Sequence, residues 1–482
     1  QGVKAAQGSM ILLLNNDTEV ISPTNWLEEM VGRFAKDNLY APFSLDKPLQ
    51  PGSYICRLSS PDTDNVNHVL GVWLTTNHKR KGGHIVKNYH YVSPNRAAIN
   101  ATLETFEYLP VISIVVPTYN TSEPFLKECL DSVINQIYPH WELCIADDAS
   151  TEPQVRQVLE HYRERFPTQI KVTYCDTNRH ISATSNAALE LATGEFVALL
   201  DHDDLLTEDA LFEVVKLLNE SREDEQIDLI YSDEDKWDDT LACFDEPFFK
   251  PEWAPEILKG QMYIGHLGVY RKRLLDELGG FRTGVEGSQD WDLALRFTEK
   301  TSSILHIPKI LYHWRKHSNS TAANLDNKNY AVKAGQKVVQ EALVREGENG
   351  RAVLNSTNNC VLVHYPVDVE NKPLVSIIIP TKDKAELLKP CLESIISNSA
   401  YPNWEIIVVD NGSDEKETFQ LFKHYKKRLG AEHFKVRQEP GPFNFSYLVN
   451  QGVKAAQGSM ILLLNNDTEV ISPTNWLEEM VG

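Results

Sequence analysis

The sequence predicts an α/β protein with a largely parallel, Rossmann-like sheet, and three observations carry that prediction. Short apolar, β-branched runs alternate with stretches of helical spacing. One such unit occurs twice in diverged form, beginning at residues 113–120 and again at residues 376–383. Acidic turns close several of the strands: Asp147 and Asp148 end one, and Asp201, Asp203 and Asp204 end another. In an open α/β sheet the carboxyl ends of the strands are where ligands bind.

Residues 111–116 form a continuous β-branched run, typical of a strand buried on both faces. Leu126, Cys129, Leu130, Val133, Ile134 and Ile137 follow at helical spacing. Further strands are expected at residues 141–146, 172–175 and 196–200, with a helix over 181–192 between the last two. Beyond the acidic turn, a helix over 210–218 and a strand over 228–232 are expected. A helix then carries Asp290 near its start, and two short strands span 304–307 and 310–314. Residues 330–345 read as an exposed helix within a helical linker, 326–372. Residues 33–109 carry no legible fold, and their basic cluster at 78–81 reads as a solvated loop. The basic cluster at 423–428 reads as an exposed helix face.

The repeat extends well past its first strand. Residues 129–134 match 391–396, 138–143 match 401–406, 147–150 match 410–413, and 200–204 match 464–468. The first unit, 110–325, reads as complete and the second, 373–482, as truncated. A second repeat is literal, since residues 1–32 and 451–482 are identical. This duplicate reads either as a recent tandem duplication or, the favoured reading, as an artefact of assembly, and a chain that starts at Gln1 as a fragment or processed record.

The formal net charge is −21, which argues against a nucleic-acid partner. Seven scattered cysteines without CxxC spacing argue against a disulfide framework or zinc site and fit a reducing cytosol. No apolar run reaches the length of a membrane span. No GxGxxG follows the first strand, which argues against a dinucleotide oxidoreductase. A nucleotidyltransferase would need a Gly-rich, basic phosphate loop that residues 117–120 do not offer.

Two readings of Asp201, Asp203 and Asp204 stand open on these residues alone. Clustered carboxylates repel unless a cation lies between them, which points to a divalent metal and a phosphate-bearing ligand. Alternatively they mark an acidic helix N-terminus, with Asp204 starting the next helix.

The motifs at residues 116–120, 147–150, 177–188, 200–204 and 289–296, taken together and in order, resemble glycosyltransferase family 2. The resemblance implies a GT-A nucleotide-sugar-binding fold, with one complete copy and one truncated copy. It resembles tandem-domain bacterial enzymes that build O-antigen and other surface polysaccharides. By resemblance, Pro117, Thr118 and Tyr119 line the nucleotide-base pocket, and Asp147 and Asp148 accept from the base. Arg179 either meets phosphate or is a surface arginine. Asp201 and Asp203 match a DxD motif that would hold Mg²⁺ or Mn²⁺ against the diphosphate, with Asp203 as the direct ligand. His313 either adds a contact to that metal or diphosphate or packs beside Trp314. Asp290 matches the catalytic base of an inverting transfer. Pro380, Asp410 and Asp467 are the second unit's equivalents, where Asn411 and Asn465 replace two of the acids.

The partners implied are a nucleotide-sugar donor and a glycan or lipid-linked glycan acceptor. The implied location is cytoplasmic, with peripheral contact at the inner membrane. The alternative class is a non-catalytic GT-A-like scaffold or binding protein.

Overall fold

The structure is a computed structural model. It describes residues 52–58, 68–74, 94–221, 226–239, 242–316, 325–355, 360–367, 372–471 and 474–482. Two compact units divide the chain, Gln1–Tyr91 and Val92–Gly482. In the first, β1 (Gly52–Leu58) pairs antiparallel with β2 (His68–Leu74). The features read at residues 1–32 and the basic cluster at 78–81 lie outside the described residues.

The second unit opens with α1 (Arg96–Leu103), whose Asn95 side chain caps the N–H of Ala98. Then β3 (Ile112–Thr118), α2 (Glu123–Ile134), β4 (Trp141–Asp147), α3 (Pro153–Arg165), β5 (Ile170–Tyr174), α4 (His180–Leu189) and β6 (Phe196–Leu199) alternate, all expected from the sequence except α3. Both β3 and β4 are buried almost throughout. Ile112, Ile114 and Val116 pack in the core on one sheet face and Val115 in the core on the other. That two-sided burial is why these strands read as unbroken apolar runs.

The chain continues through β7 (Leu205–Leu206), α5 (Ala210–Glu220), β8 (Leu229–Asp238), β9 (Cys243–Phe248), α6 (Pro255–Gly260), β10 (Gly268–Arg271), α7 (Lys272–Leu278), α8 (Gln289–Thr298) and β11 (Ile304–Lys316). Strand order is β5-β4-β3-β6-β10-β8-β11-β7, with β9 added to β8. The left half, β5 to β6, is parallel, whereas β10 runs antiparallel to both its neighbours. The two short strands expected at 304–307 and 310–314 are one strand. Its ladder with β8 slips on either side of Ile310, beside Pro308, which has no N–H to give.

Next come α9 (Leu325–Glu346), β12 (Arg351–Leu354) and β13 (Val361–His364). The expectation of an exposed helix at 330–345 is corrected here. Val338, Val339, Ala342 and Leu343 are fully buried and join the same core as Leu293 and Phe297 of α8. Gly335 permits the close approach, because a Cβ there would stand 2.8 Å from the Trp291 ring.

A second sheet follows, from β14 (Val375–Thr381), α10 (Ala385–Asn398), β15 (Trp404–Asp410), α11 (Lys416–His433), β16 (Phe434–Gln438), α12 (Phe445–Ala455) and β17 (Met460–Leu463), with α13 (Trp476–Val481) after it. Its order, β16-β15-β14-β17, repeats β5-β4-β3-β6. The register repeats too, with Thr118 opposite Asp147 and Thr381 opposite Asp410. The basic cluster lies on α11, where Lys423, Lys426 and Lys427 are exposed while Tyr425 is buried.

Candidate active site

The site lies at the carboxyl ends of β3, β4 and β6, beside the point where the strand order reverses between β3 and β6. At its outer corner, the N–H of Asp148 donates to the Thr118 carbonyl at 2.8 Å, joining the turns after β3 and β4. Asp147 spends its carboxylate on its own turn, accepting from the Ser150 N–H (3.1 Å) and hydroxyl (2.5 Å). Asp148 accepts from the Arg179 N–H at 2.7 Å through Oδ1. Arg179 therefore reaches this corner through its backbone, and its side chain is exposed. Pro117 is partly buried, Thr118 is buried and Tyr119 is exposed. Thr118, Asp147, Asp148 and Arg179 are thus joined by backbone or turn contacts, and Tyr119 is exposed.

The acidic turn follows β6. Asp204 is buried and does not start a helix, since α5 begins at Ala210. Its Oδ2 accepts from the Tyr312 hydroxyl at 2.5 Å and its Oδ1 from the Arg315 N–H at 2.8 Å. Burial, with the charges of Asp203 and Asp201, pushes the Asp204 carboxyl well above the usual range. Arg315 also donates Nε to the Asp203 carbonyl (2.6 Å) and Nη2 to Glu128 (2.6 Å), and its guanidinium lies 4.5 Å from the Phe125 ring. The Tyr312 hydroxyl also receives the N–H of Asp201 at 3.3 Å. The turn is therefore fastened from below by β11, which leaves the Asp201 side chain 42% exposed and Asp203 20% exposed.

Asp290 stands at the start of α8, with the Trp291 N–H on its Oδ1 at 2.8 Å. Asp292, two residues on, points the other way and is buried between Arg282 and Arg296 (2.9 and 2.7 Å). Burial raises the Asp290 carboxyl above its ordinary range; Asp201 adds to that rise and His266 opposes it. His266 was not foreseen from the sequence. Its Nε2 lies 3.8 Å from Asp201 Oδ2, and its ring stacks on Tyr312 at 4.5 Å.

Among the described residues, ligand atoms of Asp201, Asp204 and His266 lie within 4.8 Å of one another, a spacing that suits a divalent cation. The group includes neither Asp203 nor His313. Asp201 and His266 suit such an ion by donor type, whereas both Asp204 oxygens are already engaged. His313 donates to or accepts from Asp235 and packs 4.2 Å from the Phe244 ring. Alternation along β11 places it on the opposite face from Tyr312 and Trp314, the two rings that hold His266.

In the second sheet, Pro380 and Asp410 repeat the corner, and Asp410 accepts from the Ser413 N–H at 3.1 Å. Asn411 differs from Asp148, because its amide donates to the Glu439 carbonyl at 2.9 Å. Asp467 is exposed in the turn after β17.

The chain is similar to several known proteins. The family model for "Glycosyl transferase family 2" matches residues 113–279 and 376–482. An uncharacterized protein of Sinorhizobium fredii is 43% identical over 378 residues, covering 77% of this chain and 40% of that protein. The O-antigen biosynthesis protein RfbC of Myxococcus xanthus is 37% identical over 377 residues, covering 77% of this chain and 28% of that protein. The chain thus spans less than half the length of either relative. S. aureus TarS in complex with UDP-GlcNAc is 22% identical, with a TM-score of 0.39 over 49% of this chain and 72% of that one. With the family model matched over more than half of its residues, in two segments that each open on the first strand of a sheet, the chain belongs to glycosyl transferase family 2.

Proposed function

We propose that this chain transfers a sugar from a nucleoside-diphosphate sugar to a glycan or lipid-linked glycan acceptor in bacterial cell-surface polysaccharide synthesis. The observation that carries the reading is the convergence of Asp201, His266 and Asp290 beside the switch point of the first sheet. Family membership and the likeness to an O-antigen biosynthesis protein support the substrate class. The proposed location is the cytoplasm, in peripheral contact with the inner membrane. Among the described residues no helix is long and apolar enough to cross a membrane.

In this mechanism the turns after β3 and β4 hold the nucleotide, with Asp148 toward the base and Pro117, Thr118 and Tyr119 around it. Asp201 and Asp203 face the diphosphate, with Asp201 and His266 able to hold Mg²⁺ or Mn²⁺. A divalent cation there would offset the charge that builds on the leaving diphosphate. Asp290 takes the proton of the acceptor hydroxyl. That oxygen forms a bond to the anomeric carbon while the bond to the diphosphate oxygen breaks, inverting the centre. The raised Asp290 carboxyl suits a base, and the rate should fall on acidification at a pH above the ordinary aspartate range, as Asp290 takes up its proton.

The test is a panel of sugar nucleotides with Mn²⁺ or Mg²⁺, scored for release of nucleoside diphosphate. Release from one donor, lost in Asp201→Ala and Asp290→Ala, is expected. No release from any donor, even at high protein concentration, would overturn the reading in favour of a non-catalytic GT-A-like binding protein.

A further inference from the structure

Glu234 on β8 and Lys250, just after β9, form an ion pair of 3.0 Å whose side chains are 10% and 0% exposed. Burying two charges costs solvation that their attraction does not reliably return, so such a pair is weak evidence for a stabilising role. Its remaining contacts show where it acts. Lys250 Nζ also donates to the carbonyls of Ile264 (2.6 Å) and His266. Glu234 Oε2 accepts the N–H of His266 at 2.9 Å. Both backbone polar groups of His266 therefore end on the same buried ion pair.

Gly265 completes the device. Its φ is +45°, and a Cβ there would lie 2.9 Å from Glu234 Oε2, so the loop closes around the carboxylate only with glycine. On the far side the imidazole stacks on Tyr312, the residue paired with Glu234 in the β8–β11 ladder. Charges behind the backbone and a ring beneath the side chain leave His266 Nε2 toward Asp201.

We propose that Glu234 and Lys250 are positioning residues for His266, and that His266 contacts the donor's diphosphate end between Asp201 and Asp290. The second half of this proposal rests on the transferase reading above; the first half does not.

The test uses the full chain labelled at histidine 13Cε1. The His266 signal is identified by its loss in His266→Ala. The paired substitution Glu234→Leu with Lys250→Met removes both charges together and leaves no lone buried ion. It is expected to shift or broaden the His266 signal and to lower kcat by about 10²-fold with little change in KM, as misplaced second-layer groups do. Made in the His266→Ala background, the same pair should lower kcat no further. Gly265→Ala disturbs the same loop by pressing a Cβ on Glu234 Oε2 while leaving both charges in the chain, and gives the same readout if the paired variant does not fold. An unchanged His266 signal, or an equal loss of kcat in both backgrounds, overturns the positioning role. A displaced His266 signal in a protein that turns over no sugar nucleotide, even as wild type, supports the positioning role and overturns the transferase reading.

Discussion

The two sheets carry the same scaffold and different sites. In the first, Ser113 donates to Glu142 at 2.6 Å, and Lys171 meets the same carboxylate at 2.6 Å. In the second, Ser376 donates to Glu405 at 2.6 Å, and Lys435 takes the place of Lys171. Tyr138 donates to the Pro110 carbonyl and Tyr401 to that of Pro373. Cys129 and Cys391 both point their thiols at a backbone carbonyl in the turn after the last parallel strand, that of Asp201 or Asn465. What differs is the residue after β4 or β15, the acids in the final turn, and what covers the last strand. Phe196, Val197 and Ala198 of β6 are fully buried, whereas Met460, Ile461 and Leu463 of β17 are 37%, 42% and 45% exposed. Scaffold contacts can therefore be kept in a β-α-β unit while its chemistry changes, because the Ser, Glu, Lys and Tyr contacts lie at the amino ends and flanks of the strands, and the cysteine contact, although at the carboxyl end, uses only the backbone of the turn that carries the acids.

The largest contrast is expected at the two last strands. Val197→Lys places a charge in a closed core and should cost more than about 4 kcal/mol, seen as loss of the folded baseline in urea. Ile461→Lys should stay within about 0.5 kcal/mol of wild type and lessen any edge-to-edge association seen by sedimentation. Equal losses at the two sites would break the comparison.

Next come the acids. Asp290→Ala should lower transfer by roughly 10²–10⁴-fold. Asp467→Ala should leave it within about 2-fold, as expected for a surface change away from the reacting atoms. A large loss in Asp467→Ala would place chemistry in the second sheet as well.

Smaller, and alike in both sheets, should be the loss at the shared carboxylates. Burial raises the Glu142 carboxyl, but Lys171, Ser113 and Thr193 together outweigh it and bring it down to about 2. Glu405 is lowered in the same way by Lys435, Ser376 and Gln457 acting against burial. Glu142→Gln and Glu405→Gln should each cost about 2–3 kcal/mol in chemical denaturation, the worth of a hydrogen bond to a charged group. Because the folded-state value lies below the unfolded one, Glu142's contribution is complete above about pH 4.5 and disappears as the pH falls toward 2. The smallest effect is expected at the residue after β4. Asp148→Asn should raise the donor KM by about 10-fold, one hydrogen bond's worth, with kcat little changed.

Much of the scaffold was legible because each parallel strand announces itself locally, as an apolar run ending in an acidic or Pro-Thr turn. In the right half, β8 and β11 were legible as strands, but their placement in the sheet was not. The placement of β10, β8 and β11 rests on contacts between residues far apart in sequence, and β10 runs against the parallel trend. For the same reason the site was read in part. Asp201 and Asp290 carry motif signals, while His266, Tyr312 and Arg315 matter through contacts to a turn that precedes them by more than 60 residues. Asp204 looked like a helix start because its neighbours were acids; its partners on β11 make it a buried hub. The stripe Val338, Val339, Ala342 and Leu343 did carry a buried-face spacing that an otherwise polar helix masked.

The packing of α9 has a practical consequence for anyone dividing this protein into pieces. Trp291 donates its indole N–H to the Leu258 carbonyl and lies under Gly335, one residue along from Asp290. Cutting the chain after β11, where the mixed sheet that carries the site is complete, would strip the roof from the helix that presents Asp290. Proteolysis or shortening at that point should yield a fragment with a full set of motifs and an unsupported base. The cut that spares the first sheet falls between β13 and β14.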